Sequence, residues 1–133
     1  MPLIQAPIIA PETMDLAQEA PPAELEITLS ATMLGLVTHY GVSYHGQSMG
    51  CYGTLYDTDN DTIIAVGPDH YYEWPCGTEL MVCGVADCLI GVRQDACPGC
   101  GPGHLDLSEA GITRVCGIGS GYCRVTIQTV LMR

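Results

Sequence analysis

Eight cysteines, all lying between Cys51 and Cys123 of a 133-residue chain, restrict the fold before any other feature does. Their number is even and the chain is short, the pattern of a small domain stapled by disulfides in an oxidising compartment. Cys83 and Cys88 flank the turn sequence GVAD, and Cys116 and Cys123 flank GIGSGY. The two ends of a hairpin turn are close enough to bridge, so both pairs are expected. Cys51 and Cys76, each in a glycine-rich loop, are then the long-range pair, which leaves Cys97 with Cys100. The Cys97-Pro98-Gly99-Cys100 loop and His104 also have the donors of a zinc site, but a fourth ligand would have to come from Asp106 or Cys116. Disulfides are the expectation here, with no metal and no other cofactor. Asp57, Asp59 and Asp61 alternate as calcium ligands do; without the central glycine and terminal glutamate of a calcium hand they read as a solvated turn.

The rest of the chain divides in two. Residues 1–29 hold Pro2, Pro7, Pro11, Pro21 and Pro22 and neither cysteine nor glycine. Proline blocks helix and ladder hydrogen bonds, so this is an acidic extended arm or linker, with at most two helical turns over residues 12–20. As an arm it is a candidate for self-association on a neighbouring subunit. Residues 30–133 read as one all-β domain. Thr32–Thr38, Thr62–Val66, Glu79–Cys83, Cys88–Arg93 and Arg124–Leu131 are short apolar or β-branched runs separated by Gly, Pro and Asp clusters. In the last, Val125 and Ile127 fall on one face. Ser108 is placed to cap a short helix over 108–115 that would turn Ala110, Ile112 and Val115 inward. Many short strands, one short helix and abundant glycine point to a small closed barrel.

Charge and hydropathy exclude several partners. Lysine is absent, there are four arginines, and the net charge is −11. Such a chain has no electrostatic means of gripping nucleic acid or an anionic membrane. No apolar run approaches the ~18 residues of a membrane span. The start, MPLIQAPIIAPE, lacks the basic and apolar regions of a secretory signal, although the cysteines argue for a secreted, extracellular or particle-associated protein.

Chemistry concentrates in Asp95–Ser108, DACPGCGPGHLDLS. Asp106 lies between two leucines on a strand, at a core edge where desolvation raises a carboxyl pKa, the property of a general acid. It can equally serve as an acceptor for amides at the start of the following helix. His104, two residues away, shares its face and is placed to orient it. Asp95 reads either as a turn-former or as a second groove acid, and His70 as a groove residue or a surface loop residue. Seven tyrosines and one tryptophan with no phenylalanine supply sugar-stacking surfaces. Trp74 and Tyr56 are expected in the core. Tyr40 and Tyr72 are expected in a groove.

Three blocks carry a family resemblance. Thr38-His39-Tyr40-Gly41, Ser43-Tyr44-His45-Gly46 and Gly53-Thr54-Leu55-Tyr56-Asp57 form the first. Ile64-Ala65-Val66 through Trp74-Pro75-Cys76-Gly77-Thr78 form the second, and Val92-Arg93-Gln94-Asp95 through His104-Leu105-Asp106-Leu107-Ser108 the third. In this order they resemble the double-psi β-barrel domains of rare lipoprotein A and the expansins, over roughly residues 32–131. The resemblance implies a six-stranded double-psi β-barrel with one or two short helices. It also implies a groove for β-linked glycans such as peptidoglycan or a cellulose-like chain. Asp106 aligns with the shared acid, and His70 lies within one residue of the family's histidine. With Asp95 these are the candidate catalytic residues; Tyr40, Tyr72 and His104 are the candidate glycan contacts.

Departures from the family narrow the chemistry. Inverting hydrolysis needs a second carboxylate to activate water, yet Gly41 and Val42 stand where the related endoglucanases place theirs, and Thr54 replaces a family glutamate. Lytic cleavage dispenses with that base, because the sugar's own hydroxyl attacks while one acid shuttles the proton. Three functions follow as expectations: lytic action on peptidoglycan with Asp106 as general acid/base, non-catalytic polysaccharide binding of expansin type, or assembly through a reused barrel. The sequence leaves open which of these applies and whether the domain is an enzyme.

Overall fold

Short apolar strands in a chain this small leave costly open edges unless the sheet closes on itself. The computed structural model, which describes residues 27–132, has that closure. Strand β1 (Ile27–Leu29) is followed by β2 (Met33–His39), β3 (Ile63–Val66), β4 (Glu79–Cys83), β5 (Cys88–Ala96) and β6 (His104–Leu107). Helix α1 (Glu109–Cys116) and β7 (Cys123–Met132) complete the chain, with single 3-10 turns at Val42–Tyr44 and Pro68–His70. The ring runs β7-β2-β6-β3-β5-β4, and β4 pairs back onto β7. β2 with β6 and β3 with β5 are parallel, whereas the other neighbours are antiparallel. This is the closed, mixed six-stranded barrel that the resemblance implied. The expected arm, residues 1–29, and its role in self-association lie outside the described residues except for β1. No helix among the described residues is long and apolar enough to cross a membrane.

Alternation builds the interior. On β6, Leu105 and Leu107 are fully buried while His104 and Asp106 are half-exposed; on β7, Val125 and Ile127 point inward. They meet Val37, Ile64, Val66, Leu80 and Val82 in one core. Each such side chain contributes on the order of 1.5–3 kcal/mol on burial. Trp74 seals this core, with its indole N–H donating to Thr129 Oγ1 at 3.2 Å. Helix α1 starts at Ser108, whose Oγ accepts from the Gly111 N–H at 3.1 Å, and ends at Gly117, whose φ of 102° reverses the chain. Its inward residues are Gly111, Ile112, Val115 and Cys116. Ala110, expected inside, is half-buried, because its N–H is drawn to the Thr58 carbonyl at the helix edge.

One strand runs further than its apolar pattern. β5 does not stop at Arg93 but continues to Ala96, because Asp95 and Ala96 pair with Ala65 and Val66 past a bulge at Ile64/Ala65. That extension carries Asp95 up beside the end of β3.

Four disulfides staple the barrel: Cys51–Cys76, Cys83–Cys88, Cys97–Cys100 and Cys116–Cys123. With Cys97 and Cys100 bridged, their thiolates are not available to zinc. Cys51–Cys76 closes the longest loop, a separation of 25 residues against 3 for Cys97–Cys100. Loop-closure entropy assigns the longer loop about 3.5 kcal/mol and the shorter about 2. A Cys51→Ala/Cys76→Ala variant is therefore expected to melt about 15 °C or more below the parent, measured by circular dichroism. A Cys97→Ala/Cys100→Ala variant that lost more would refute the ordering.

Candidate functional site

The site is built by one row of residues crossing four strands. Ala65 on β3 is the register partner of Asp95 on β5 and of Asp106 on β6, and Asp106 is in turn the partner of Thr38 on β2. Direct cross-strand partners face the same way. Two carboxylates therefore stand on either side of a small buried alanine, roughly 10 Å apart at Cα by two strand spacings. The shortness of Ala65 makes the floor of a trough. Tyr40, Tyr44, Gln47, Ser48 and the Ala96–Pro98 segment complete its walls around a space of about 320 Å³.

Asp106 is held from one side only. Thr38 Oγ1 donates to Asp106 Oδ1 at 2.9 Å and lies 2.8 Å from His104 Nε2. With the threonine hydroxyl proton given to the carboxylate, His104 Nε2 must be the donor toward Thr38, which completes a relay His104–Thr38–Asp106. Burial pushes the Asp106 pKa above the ordinary carboxylate value, against the Thr38 hydrogen bond and the nearby His104 and His39 rings; the charge of Asp95 adds to the rise. His104 thus reaches Asp106 through Thr38, a residue that no motif marks as part of a site.

Asp95 is held differently. Its Oδ1 accepts from the Gly50 N–H at 2.7 Å and the Ala96 N–H at 2.9 Å, and its Oδ2 accepts from Tyr40 OH at 3.1 Å. Three donors on one carboxylate anchor the 50s loop to β5 and fix the Tyr40 phenol over the trough. Burial, then the Asp95 charge, raises the Tyr40 pKa far above its ordinary value, so the phenol stays a neutral donor at any working pH. Tyr40 in turn stacks on Tyr56 at 4.2 Å, and the Tyr56 hydroxyl donates to the Tyr40 carbonyl at 2.6 Å. Beneath Asp95, the buried Arg93 guanidinium lies over the Tyr71 ring at 5.1 Å and donates to the Asp95 carbonyl at 3.0 Å. Nothing in the sequence marked this interior cation.

The remaining candidates lie elsewhere. His70 is buried with both ring nitrogens occupied: Nδ1 lies 2.7 Å from Glu73 Oε1, and Nε2 accepts from the Gly103 N–H at 2.9 Å. The ring also stacks on Trp74 at 4.3 Å. It positions the turn that leads into β6 and does not line the trough. Tyr72 is 99% exposed and outside the trough as well. In the Asp57–Asp61 turn, Asp57 Oδ1 and Asn60 Oδ1 accept from backbone amides, and Asp61 pairs with Arg114 at 3.1 Å. Among the described residues no cluster of His, Cys, Asp and Glu is arranged to hold a metal ion.

No protein-family model matches the chain, and no curated protein matches it significantly. Solved structures do. An apo expansin of Clavibacter michiganensis superposes with a TM-score of 0.63 at 28% identity, over 76% of this chain and 51% of that one. An aspartate-to-asparagine mutant of the same expansin, in complex with cellohexaose, matches with a TM-score of 0.63 at 27% identity over the same shares. This chain thus spans about half the length of that expansin. The Streptomyces papain inhibitor matches with a TM-score of 0.60 at 22% identity, over 80% of this chain and 99% of that one, a likeness of fold alone. Closed ring, parallel pairing and these neighbours agree: the chain is a double-psi β-barrel of the expansin-like superfamily.

Proposed function

We propose that this domain binds β-linked polysaccharide along the trough between Tyr40, Asp95 and Asp106. The observation that carries the reading is the trough itself, an open channel floored by Ala65 with two acids and an aromatic wall, on a barrel whose expansin neighbour takes a cellohexaose. Sugar hydroxyls find acceptors at the carboxylates and a donor at the Tyr40 phenol, while ring faces lie on tyrosine. The four disulfides fit an extracellular place of action.

A second reading, lytic cleavage of peptidoglycan, is favoured by one specific feature, the raised pKa of Asp106. A carboxyl whose pKa is raised holds its proton at higher pH than an ordinary one, and can protonate a glycosidic oxygen and then take a proton from the attacking hydroxyl. Asp95 is a poor water-activating base, with both oxygens already engaged, and Gly41 and Val42 supply none, so simple hydrolysis is disfavoured.

Titration calorimetry with cellohexaose and with peptide-free peptidoglycan strands, followed by mass spectrometry of the incubated mixtures, tests both. Binding without new products is expected if the domain only holds or loosens the polymer; anhydro-sugar ends mark lytic action. No binding to either polymer would remove the proposal.

A further inference from the structure

Asp106 and His104 alternate with the buried leucines of β6 and so share its outer face. His104 belongs to a second depression of about 290 Å³ shared with Leu34, Leu36, Pro102 and Arg124, and Leu36 and Arg124 continue into a third beside Tyr122. Register relates this depression to the trough. Leu36 on β2 is the partner of both His104 on β6 and Arg124 on β7, a row parallel to the one that holds Asp106 and displaced from it by two residues. The His104–Thr38–Asp106 relay joins the two rows. Leu34 is 79% and Tyr122 is 63% exposed, apolar surface aligned with a polar channel.

Arg124 is the unusual member. In a chain of net charge −11, Arg93 is buried beneath Asp95, and Arg114 is paired with Asp61 and Asp87. Arg124 is exposed and makes no salt bridge among the described residues. A guanidinium that faces a cleft with no carboxylate partner among the described residues is a ready fork for a carboxylate brought by a ligand.

We propose that Arg124 reads a carboxylate on the bound glycan, so that the preferred polymer is a β-linked chain bearing acidic groups, with Leu34, Leu36 and Tyr122 under the sugar that carries the charge. This rests on the glycan-binding reading above and adds its substrate class. Arg124 and His104 lie two strand spacings apart, roughly 10 Å at Cα. The charged sugar therefore sits beyond the one at Asp106, along the same channel. The arrangement also sets polarity: Asp95 and Asp106 repel a carboxylate at one end of the channel while Arg124 accepts it at the other.

Affinities for three probes test this: cellohexaose, a β-1,4-glucuronic acid oligomer, and a peptide-free muramic-acid strand. The last two present the carboxylate on the ring or on a lactyl ether. Wild type is expected to bind at least one acidic probe about three- to tenfold tighter than cellohexaose, the size of a partly exposed charge-assisted contact. Arg124→Gln is expected to erase that preference, bringing the three probes to within about twofold of one another, with Arg124→Lys in between. The probe that responds identifies the carboxylate's source. Equal binding of all three probes by wild type, or a preference that survives Arg124→Gln, overturns the inference and leaves the groove reading standing. No binding of any probe overturns both.

Discussion

On the lytic reading, substituting Asp106 by asparagine is expected to lower product release by about 100-fold or more, the range a positioned general acid supplies. Oligosaccharide affinity should change little, because asparagine keeps the shape and an oxygen for the Thr38 hydroxyl. The same substitution is expected to raise the melting temperature near neutral pH. Burial places the Asp106 pKa above that of an unfolded aspartate, so the folded barrel binds the proton more tightly than the open chain does. The stability from the protonated group is complete below the unfolded value, about 4, and is lost as pH rises through the folded pKa. Asparagine cannot ionise and avoids that loss. Melting curves of parent and variant should therefore coincide near pH 3 and separate, with the variant higher, as pH approaches 7. A parent that melts above the variant at pH 7 would show that Asp106 is a satisfied structural anion, and the acid role would fall with it.

What the sequence made legible was local. Ser108 announced its helix, the alternation of β7 announced its buried face, and the turns GVAD and GIGSGY brought Cys83 to Cys88 and Cys116 to Cys123 because few residues separate them. What it hid was register. Thr38 and Asp106 are 68 residues apart, and nothing in a threonine on a strand tells that its hydroxyl will bind a carboxylate on a parallel neighbour. The apolar pattern of β5 fades at Arg93, so the bulge that brings Asp95 beside Ala65 had no periodic signature. The likeness gives His70 only a neighbourhood along the chain, and the abundance of aromatic residues gives Tyr72 only a chemistry; neither sets the direction of a side chain. The 3-10 turn Pro68–His70 points the imidazole inward to Gly103 and leaves Tyr72 in solvent.

That inward histidine leads to a second large stability effect. Gly35→Ala should cost about 3 kcal/mol or more, a fall in melting temperature of about 15 °C for a domain of this size. A methyl at position 35 would stand 2.3 Å from the Gly103 carbonyl oxygen and 2.7 Å from Ile127 Cδ1. The isoleucine tip can turn aside, but the carbonyl cannot. It accepts the Leu36 N–H at 2.9 Å, the Gly103 N–H is held by His70 Nε2, and a φ of 74° confines the residue to a turn. Relief would require breaking the hydrogen bond that starts the β2–β6 pairing, the same pairing that sets Thr38 against Asp106. Function and stability should thus fail together in Gly35→Ala. Gly41→Ala is the control: no atom lies within 4 Å of its added carbon, and its φ of −91° suits any residue. Melting both variants beside the parent decides the matter; a Gly35→Ala protein within about 1 kcal/mol of the control would mean that the two crossing backbones are not in the contact described.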